Sequence, residues 1–215
     1  DLVDPTSLVI KQAKRWQISL LHTAGCNFLH ALPDSYPAPL HQQTYHLFSD
    51  AALAGAPVPS LGGYCHGMWW TLPLSDAQQA DIAIPHLEFL AAIINFVLFT
   101  RSVLPPDSDS VNVHIVSHMD GLAAKQVIAD HSAQSPVMVY LHQRLMQADE
   151  YRRYSPLWSV THDFGPSNFM ADAASRGLLT ALQQMARQQQ VTLTQLAVPA
   201  DLLQLVEDTH EFVLR

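Results

Sequence analysis

The chain has 215 residues, of which 48% are hydrophobic and 14% charged, so it can bury a sizeable core and does not have the composition of a disordered protein. Its formal net charge is −8, from 19 acidic residues and only 11 lysines and arginines. This balance argues against a free-standing nucleic-acid-binding protein, but it permits a domain that uses the basic surface of a neighbour.

The cysteines and the apolar runs indicate the compartment. Cys26 and Cys65 are isolated and form no C-x-x-C pair, so we expect neither a disulfide framework nor zinc. The chain starts at Asp1 without a signal-peptide pattern, which predicts a piece of a longer intracellular protein of the cytoplasm or nucleus, not a secreted one. The apolar run 89–99 is interrupted by Asn95 and is too short to cross a bilayer, so it predicts a buried helix and no membrane partner.

The elements along the chain predict an α/β fold. Residues 1–40 read as a helical connection segment and linker, residues 41–182 as the main domain, and residues 183–215 as a helical C-terminal extension. Hydrophobic periodicity and turn residues predict strands at 44–49, 111–117 and 157–161 and two within 61–74, and helices at 85–103, 121–130, 136–154 and 171–187. A meander followed by β-α-β units predicts a mixed five-stranded sheet with helices on both faces.

Four acidic residues stand at the boundaries of these elements. Asp50 and Asp120 follow apolar strands, Glu88 is near the start of an apolar helix, and Asp172 is near the start of the last helix of the main domain. Side chains at the carboxyl ends of neighbouring parallel strands meet at one edge of a sheet. Four carboxylates in one place would repel one another, and two divalent cations about 4 Å apart would relieve that repulsion. The pattern therefore predicts an all-oxygen magnesium site.

Each acid also has an ordinary structural interpretation. Asp50 is a suitable turn residue, and Asp120 before Gly121 is a suitable helix cap. Glu88 and Asp172, in the first turn of a helix, would complement the helix dipole. The joint pattern, with all four acids at element boundaries, is what favours a site.

Four short motifs carry a resemblance to a known family. They are Leu47-Phe48-Ser49-Asp50-Ala51-Ala52, Leu87-Glu88-Phe89-Leu90-Ala91-Ala92, His118-Met119-Asp120-Gly121-Leu122-Ala123-Ala124 and Asn168-Phe169-Met170-Ala171-Asp172-Ala173-Ala174-Ser175-Arg176. In this order they resemble the ribonuclease H family over about residues 42–180. The closest likeness is to the domain attached to reverse transcriptases of LTR-type or DIRS-type retroelements. The last motif is the most specific, because it is similar to the Asn-x-x-Ala-Asp-x-x-Ser-Arg ending of those domains.

The resemblance implies a ribonuclease H-like fold over residues 41–182 and a metal-dependent endonuclease. Two Mg²⁺ or Mn²⁺ ions would be held by Asp50, Glu88, Asp120 and Asp172, and they would promote hydrolysis of the RNA strand of an RNA–DNA hybrid. It also implies that His162 helps proton movement or product release. The implied partners are the hybrid and the adjacent reverse transcriptase domain of the same polyprotein.

Contacts to the RNA 2′-hydroxyls have no clear sequence signal. We name four polar candidates, Ser49, Asn95, Ser117 and Asn168. His114 and His118, like His162, lack the H-E-x-x-H spacing of a zinc helix and read as surface or core imidazoles.

Two other functions are open. In the first, the domain is catalytically degenerate and serves as a scaffold or interaction module, which the acidic charge favours. In the second, the metal site cleaves other substrates, as in integrase-like or exonuclease relatives. The Asn-x-x-Ala-Asp ending speaks against this second alternative.

Overall fold

The computed structural model describes residues 43–53, 55–104, 113–130, 133, 135–162 and 168–215. All of them belong to one structural unit, Pro39–Arg215. The predicted segment of residues 1–40, including Cys26, lies outside the described residues. Cys65 is buried and is not in a disulfide, and burial raises the pKa of its thiol.

An antiparallel meander begins the sheet. Its strands are β1 (Gln43–Ala52), β2 (Ser60–Cys65) and β3 (Met68–Pro73). The turn between β2 and β3 consists of His66 and Gly67, which both have positive φ (48° and 84°). This is the two-residue turn whose twist matches that of antiparallel strands. The prediction of two strands around Gly67 is confirmed.

Two further strands extend the sheet by parallel pairing. β4 (Val113–Met119) pairs with β1, and β5 (Trp158–His162) pairs with β4. The strand order is β5-β4-β1-β2-β3-β6, where β6 is the two-residue strand Thr194–Gln195 at the edge. The described helices are α1 (Asp76–Asp81), α2 (Ile84–Val103), α3 (Leu122–Asp130), α4 (Pro136–Gln147), α5 (Asp149–Tyr154), α6 (Phe169–Ser175), α7 (Leu179–Gln188) and α8 (Ala200–Val213).

Helices α2 and α6 cover opposite faces of the meander, and two adjacent glycines of β2 permit their close approach. A Cβ on Gly62 would lie 2.4 Å from the backbone nitrogen of Ser175 in α6. A Cβ on Gly63 would lie 2.3 Å from Oδ1 of Asn95 in α2. Because successive residues of a strand face opposite sides, the pair brings a helix close to each face.

Helix α2 forms the centre of the core. It is long and apolar enough to cross a membrane, but most of it is buried inside the protein, as the buried-helix prediction requires. Its residue Asn95 is buried, and both ends of its side-chain amide are hydrogen-bonded. Asn95 Oδ1 accepts a hydrogen bond from Trp70 Nε1 at 2.8 Å, and Asn95 Nδ2 donates to the carbonyl of Phe48 at 3.1 Å. The helix therefore holds β1 and β3 through one amide.

The α/β class and the mixed sheet are confirmed, but the predicted number of strands is wrong. Over the described residues the sheet has six strands, because Thr194 and Leu196 donate hydrogen bonds to the edge carbonyls of Gly67 and Trp69, each at 2.8 Å. A two-residue strand has no periodicity to detect. Helix α1 was also missed, although Ser75 and Gln78 form a capping box before it.

Two predicted long helices are each interrupted. The helix predicted at 136–154 divides at Ala148, whose backbone is extended (φ −66°, ψ 137°). The helix predicted at 171–187 divides after Arg176, where Gly177 adopts φ +67° and ends α6. Left-handed glycine is a common helix terminator. The second break matters for the site, because it separates the short helix that carries Asp172 from α7.

Candidate active site

Two aspartates lie at the same end of the parallel strand pair β1–β4. The parallel ladder ends at the pair Phe48 and His118. Asp50 follows two residues later in β1, where the strand pairs only with β2, and Asp120 immediately follows β4. Asp50 is only 7% exposed, whereas Asp120 is exposed. The topology therefore places both residues at one rim of the sheet, as expected for carboxyl ends of parallel neighbours.

Glu88 reaches the same rim from α2. Its Oε2 lies so close to Gly121 that a Cβ at this glycine would be 2.3 Å away. The pKa of Glu88 is raised to about 7, first by burial and then by the charges of Asp120 and Asp50. The predicted position in the first turn is wrong, because α2 begins at Ile84 and Glu88 is in its second turn.

Asp172 and Ser175 approach Asp50 from α6. Ser175 is buried and donates a hydrogen bond from its hydroxyl to Oδ2 of Asp50. Asp172 is paired with Arg176, whose Nε lies 2.6 Å from its Oδ1, and both side chains are partly exposed. The pKa of Asp50 is raised, mainly by burial; the Ser175 hydrogen bond opposes the shift, and the charges of Asp120 and Asp172 add to it. The charges of Asp120 and Asp172 therefore act on Asp50, and the charges of Asp120 and Asp50 act on Glu88.

His162 is the last residue of β5, one strand away from the aspartates. Its Nε2 donates a hydrogen bond to the backbone carbonyl of Asp120 at 2.8 Å. The register pairs Met119 with His162, which accounts for this contact. In this position the imidazole holds the backbone that carries Asp120.

The donor set has the right chemistry for hard divalent cations, because carboxylate oxygens are the ligands that Mg²⁺ prefers. The mutual raising of carboxyl pKa values also indicates a place where added positive charge would be stabilising. Within the described residues, however, no group of three or more histidine, cysteine, aspartate or glutamate side chains is close enough to hold a metal ion. The acids are neighbours at this rim, close enough for their charges to act on one another.

The four candidate contacts to 2′-hydroxyls are wrong. Ser49, Asn95, Ser117 and Asn168 are all at most 4% exposed. Asn168 Nδ2 donates to the carbonyl of Ser49 at 2.9 Å, and Ser117 accepts from Trp158 Nε1 at 2.8 Å. The side chains of Asn95, Ser117 and Asn168 hold elements together, and burial removes all four candidates from contact with a nucleic acid.

Sequence reasoning missed the roles of Ser175 and Arg176. Both stand in the Asn-x-x-Ala-Asp-x-x-Ser-Arg motif, but only as flanking letters. In the structure Ser175 orients Asp50, which is 125 positions away, and Arg176 neutralises Asp172 one helical turn back. The i,i+4 spacing of Asp172 and Arg176 was the available signal for the ion pair. The Ser175 contact has no sequence signal.

Comparisons with protein-family models, curated proteins and solved structures give no match to this chain. The functional assignment therefore depends on the motifs and on the geometry of the rim.

Proposed function

We propose that this chain is a ribonuclease H-like domain of a retroelement reverse transcriptase and hydrolyses the RNA strand of RNA–DNA hybrids. The observation that carries the proposal is the meeting of Asp50, Glu88, Asp120 and Asp172 at one sheet rim from four separate elements. The element order and the parallel pairing of β1 with β4 support the ribonuclease H-like fold, since this is the arrangement that the motifs imply.

Each residue at the rim has a distinct part in the proposed mechanism. Asp50, Glu88, Asp120 and Asp172 would hold two Mg²⁺ or Mn²⁺ ions. When bound, these ions would supply the charge that activates a water and stabilises the leaving 3′ oxygen. Ser175 fixes the orientation of Asp50, and Glu88 must lose the proton that its raised pKa retains near pH 7.

His162 acts as a positioning residue in this proposal, because its contact fixes the Asp120 backbone. While Nε2 donates to that carbonyl, the proton-transfer role that the resemblance implies would fall to the other ring nitrogen, Nδ1. The hybrid is the proposed substrate, and the adjacent reverse transcriptase domain is the proposed source of positive surface. That source is needed because the chain has 11 basic and 19 acidic residues. The proposed location is intracellular.

Two observations favour the alternative, a degenerate domain that acts as a scaffold. Arg176 already occupies one oxygen of Asp172, and the described acids do not form a group that could hold a metal ion. Both would be expected if the rim were structural.

A cleavage assay separates the two functions. The chain, alone and joined to its reverse transcriptase, is incubated with a labelled RNA–DNA hybrid and Mg²⁺ or Mn²⁺. Asp50→Asn and Asp120→Asn should each lower cleavage at least about 100-fold, because each removes a cation ligand. Asp149→Asn is the matched control, since Asp149 is an exposed aspartate at the start of α5. It should cleave normally. If neither form of the protein shows metal-dependent cleavage, or if the rim variants cleave as well as the control, the scaffold is the correct function.

A further inference from the structure

Two histidines face each other across the parallel strands β1 and β4. Nδ1 of His46 lies 2.8 Å from Nε2 of His118, and the ring centroids are 5.1 Å apart. The register pairs Phe48 with His118, so His46 is the diagonal neighbour on the same face of the sheet. His46 is exposed and His118 is half-buried. This pair is distinct from the carboxylates, and nothing in the proposed hydrolysis uses it.

The ring of His118 is held in place by an aromatic neighbour. Phe48 stacks on it with a centroid distance of 4.5 Å and an angle of 14° between the planes. The backbones of His46 and His118 both belong to the parallel pairing of β1 with β4. Ligands on rigid strands with a supported ring lose little freedom when a metal binds, which favours binding.

We propose that His46 Nδ1 and His118 Nε2 form a binding site for a transition-metal ion of the Zn²⁺, Ni²⁺ or Cu²⁺ class. Imidazole nitrogen suits these ions and not Mg²⁺, which prefers oxygen. Tetrahedral Zn²⁺ with bonds of about 2.0–2.1 Å needs its two nitrogens about 3.3 Å apart. The present separation of 2.8 Å has to widen by only about half an ångström.

Binding at this pair releases no proton when both imidazoles are neutral. In the hydrogen bond between the rings, the N–H of one ring donates to the bare nitrogen of the other. When the metal binds, the donating ring moves its proton to its second nitrogen, and both facing nitrogens then present lone pairs. Within the described residues no third histidine, cysteine or carboxylate completes a group. Among the described residues the inferred site therefore has two protein ligands, and water or a small anion would complete the coordination of the ion.

Zinc titration of the whole chain against a chromophoric chelator tests the site. His46→Ala and His118→Ala should each weaken the tightest Zn²⁺ site at least about tenfold, and the double variant should be no weaker than either single one. His114→Ala is the matched control, because His114 is on the same face of β4 but contacts Ser159 Oγ at 3.0 Å instead of an imidazole. It should bind Zn²⁺ as the unaltered chain does. Asp50→Asn should also bind normally, which separates this site from the carboxylate rim.

A second measurement needs no variant. Nitrogen NMR of the histidine rings should show His46 Nδ1 and His118 Nε2 shifting together on addition of one equivalent of Zn²⁺. The inference is overturned if either histidine variant keeps full affinity, if His114→Ala or Asp50→Asn loses as much, or if these two nitrogens do not respond. It stands or falls independently of nuclease activity.

Discussion

The two faces of the meander are built for different purposes. On the α2 face, a large apolar cluster surrounds the helix, and its central amide satisfies Trp70 and Phe48. On the α6 face, a smaller cluster adjoins a buried carboxylate, Asp50, which a serine holds in place. A buried acid with a raised pKa opposes stability unless a cation accompanies it. The α2 face supplies most of the apolar packing, although α2 also carries Glu88 to the rim, whereas the α6 face gives up stability to keep the charge of Asp50 beside the strands.

Substitution of the adjacent glycines of β2 should give the largest effect on stability and tests this difference between the faces. Gly62→Ala places a Cβ against the backbone of Ser175, and Gly63→Ala places one against Asn95 and Trp70. Overpacking of this kind costs about 1–3 kcal/mol, so both variants should lower the free energy of unfolding in denaturant titrations. Only Gly62→Ala should also impair hybrid cleavage, because it displaces the serine that orients Asp50.

Each glycine variant is the control for the other, because they are one residue apart and face opposite sides. If Gly63→Ala lowers cleavage as much as Gly62→Ala at temperatures where both are folded, the division of labour between the faces is wrong.

The pH dependence of stability gives a second, smaller test at the rim. The pKa of Glu88 is about 7 in the folded chain, compared with its ordinary value of 4.5. The native state therefore binds a proton more tightly than the unfolded state does. The stability from this group is fully present below about pH 4.5 and is lost as the pH rises through about 7. Glu88→Gln cannot ionise and should escape this loss, gaining about 1–2 kcal/mol over the wild type between pH 4 and pH 8 after allowance for partial exposure.

Unfolding titrations at several pH values measure the effect of Glu88→Gln. Glu211→Gln is the matched control, because Glu211 is an exposed glutamate of α8 whose pair with Arg215 is 3.7 Å long. Its pH profile should follow the wild type. Mg²⁺ should reduce the loss in the wild type at pH 8 and have little effect on Glu88→Gln. A wild-type profile that is flat between pH 4 and pH 8 would show that Glu88 does not carry the raised pKa.

The ion pair of Asp172 and Arg176 gives the smallest effect on stability. Both side chains are about two-fifths exposed (42% and 40%), so solvent screens the pair. Arg176→Gln should change the free energy of unfolding by less than about 1 kcal/mol. It should also strengthen Mg²⁺ binding, since Asp172 loses its competing cation.

Calorimetric Mg²⁺ titration measures that gain, and Arg176→Lys is the control that keeps the positive charge. Weaker Mg²⁺ binding by Arg176→Gln than by Arg176→Lys would mean that Arg176 supports the rim and does not compete for Asp172.

Local signals predicted most of the elements. Pro85 marked the start of α2, the turn around Gly67 separated β2 from β3, and alternating apolar residues located β4 and β5. The features that the sequence did not predict were a very short strand, β6, and a break within a predicted helix, after Arg176. Strand β6 depends on hydrogen bonds to edge carbonyls of β3 and its turn, and the helix break depends on the left-handed backbone of Gly177. Neither feature alters hydrophobic periodicity.

The chain order of the acids, their spacing and the Asn-x-x-Ala-Asp-x-x-Ser-Arg motif could be read directly from the sequence. The tertiary structure alone decided that Glu88 lies against Gly121, that Ser175 binds Asp50 and that His46 meets His118. The physical reason is distance along the chain. Capping, turns and periodicity act over a few residues, whereas contacts between residues 33 to 125 positions apart depend on sheet register and on how closely helices approach the strands.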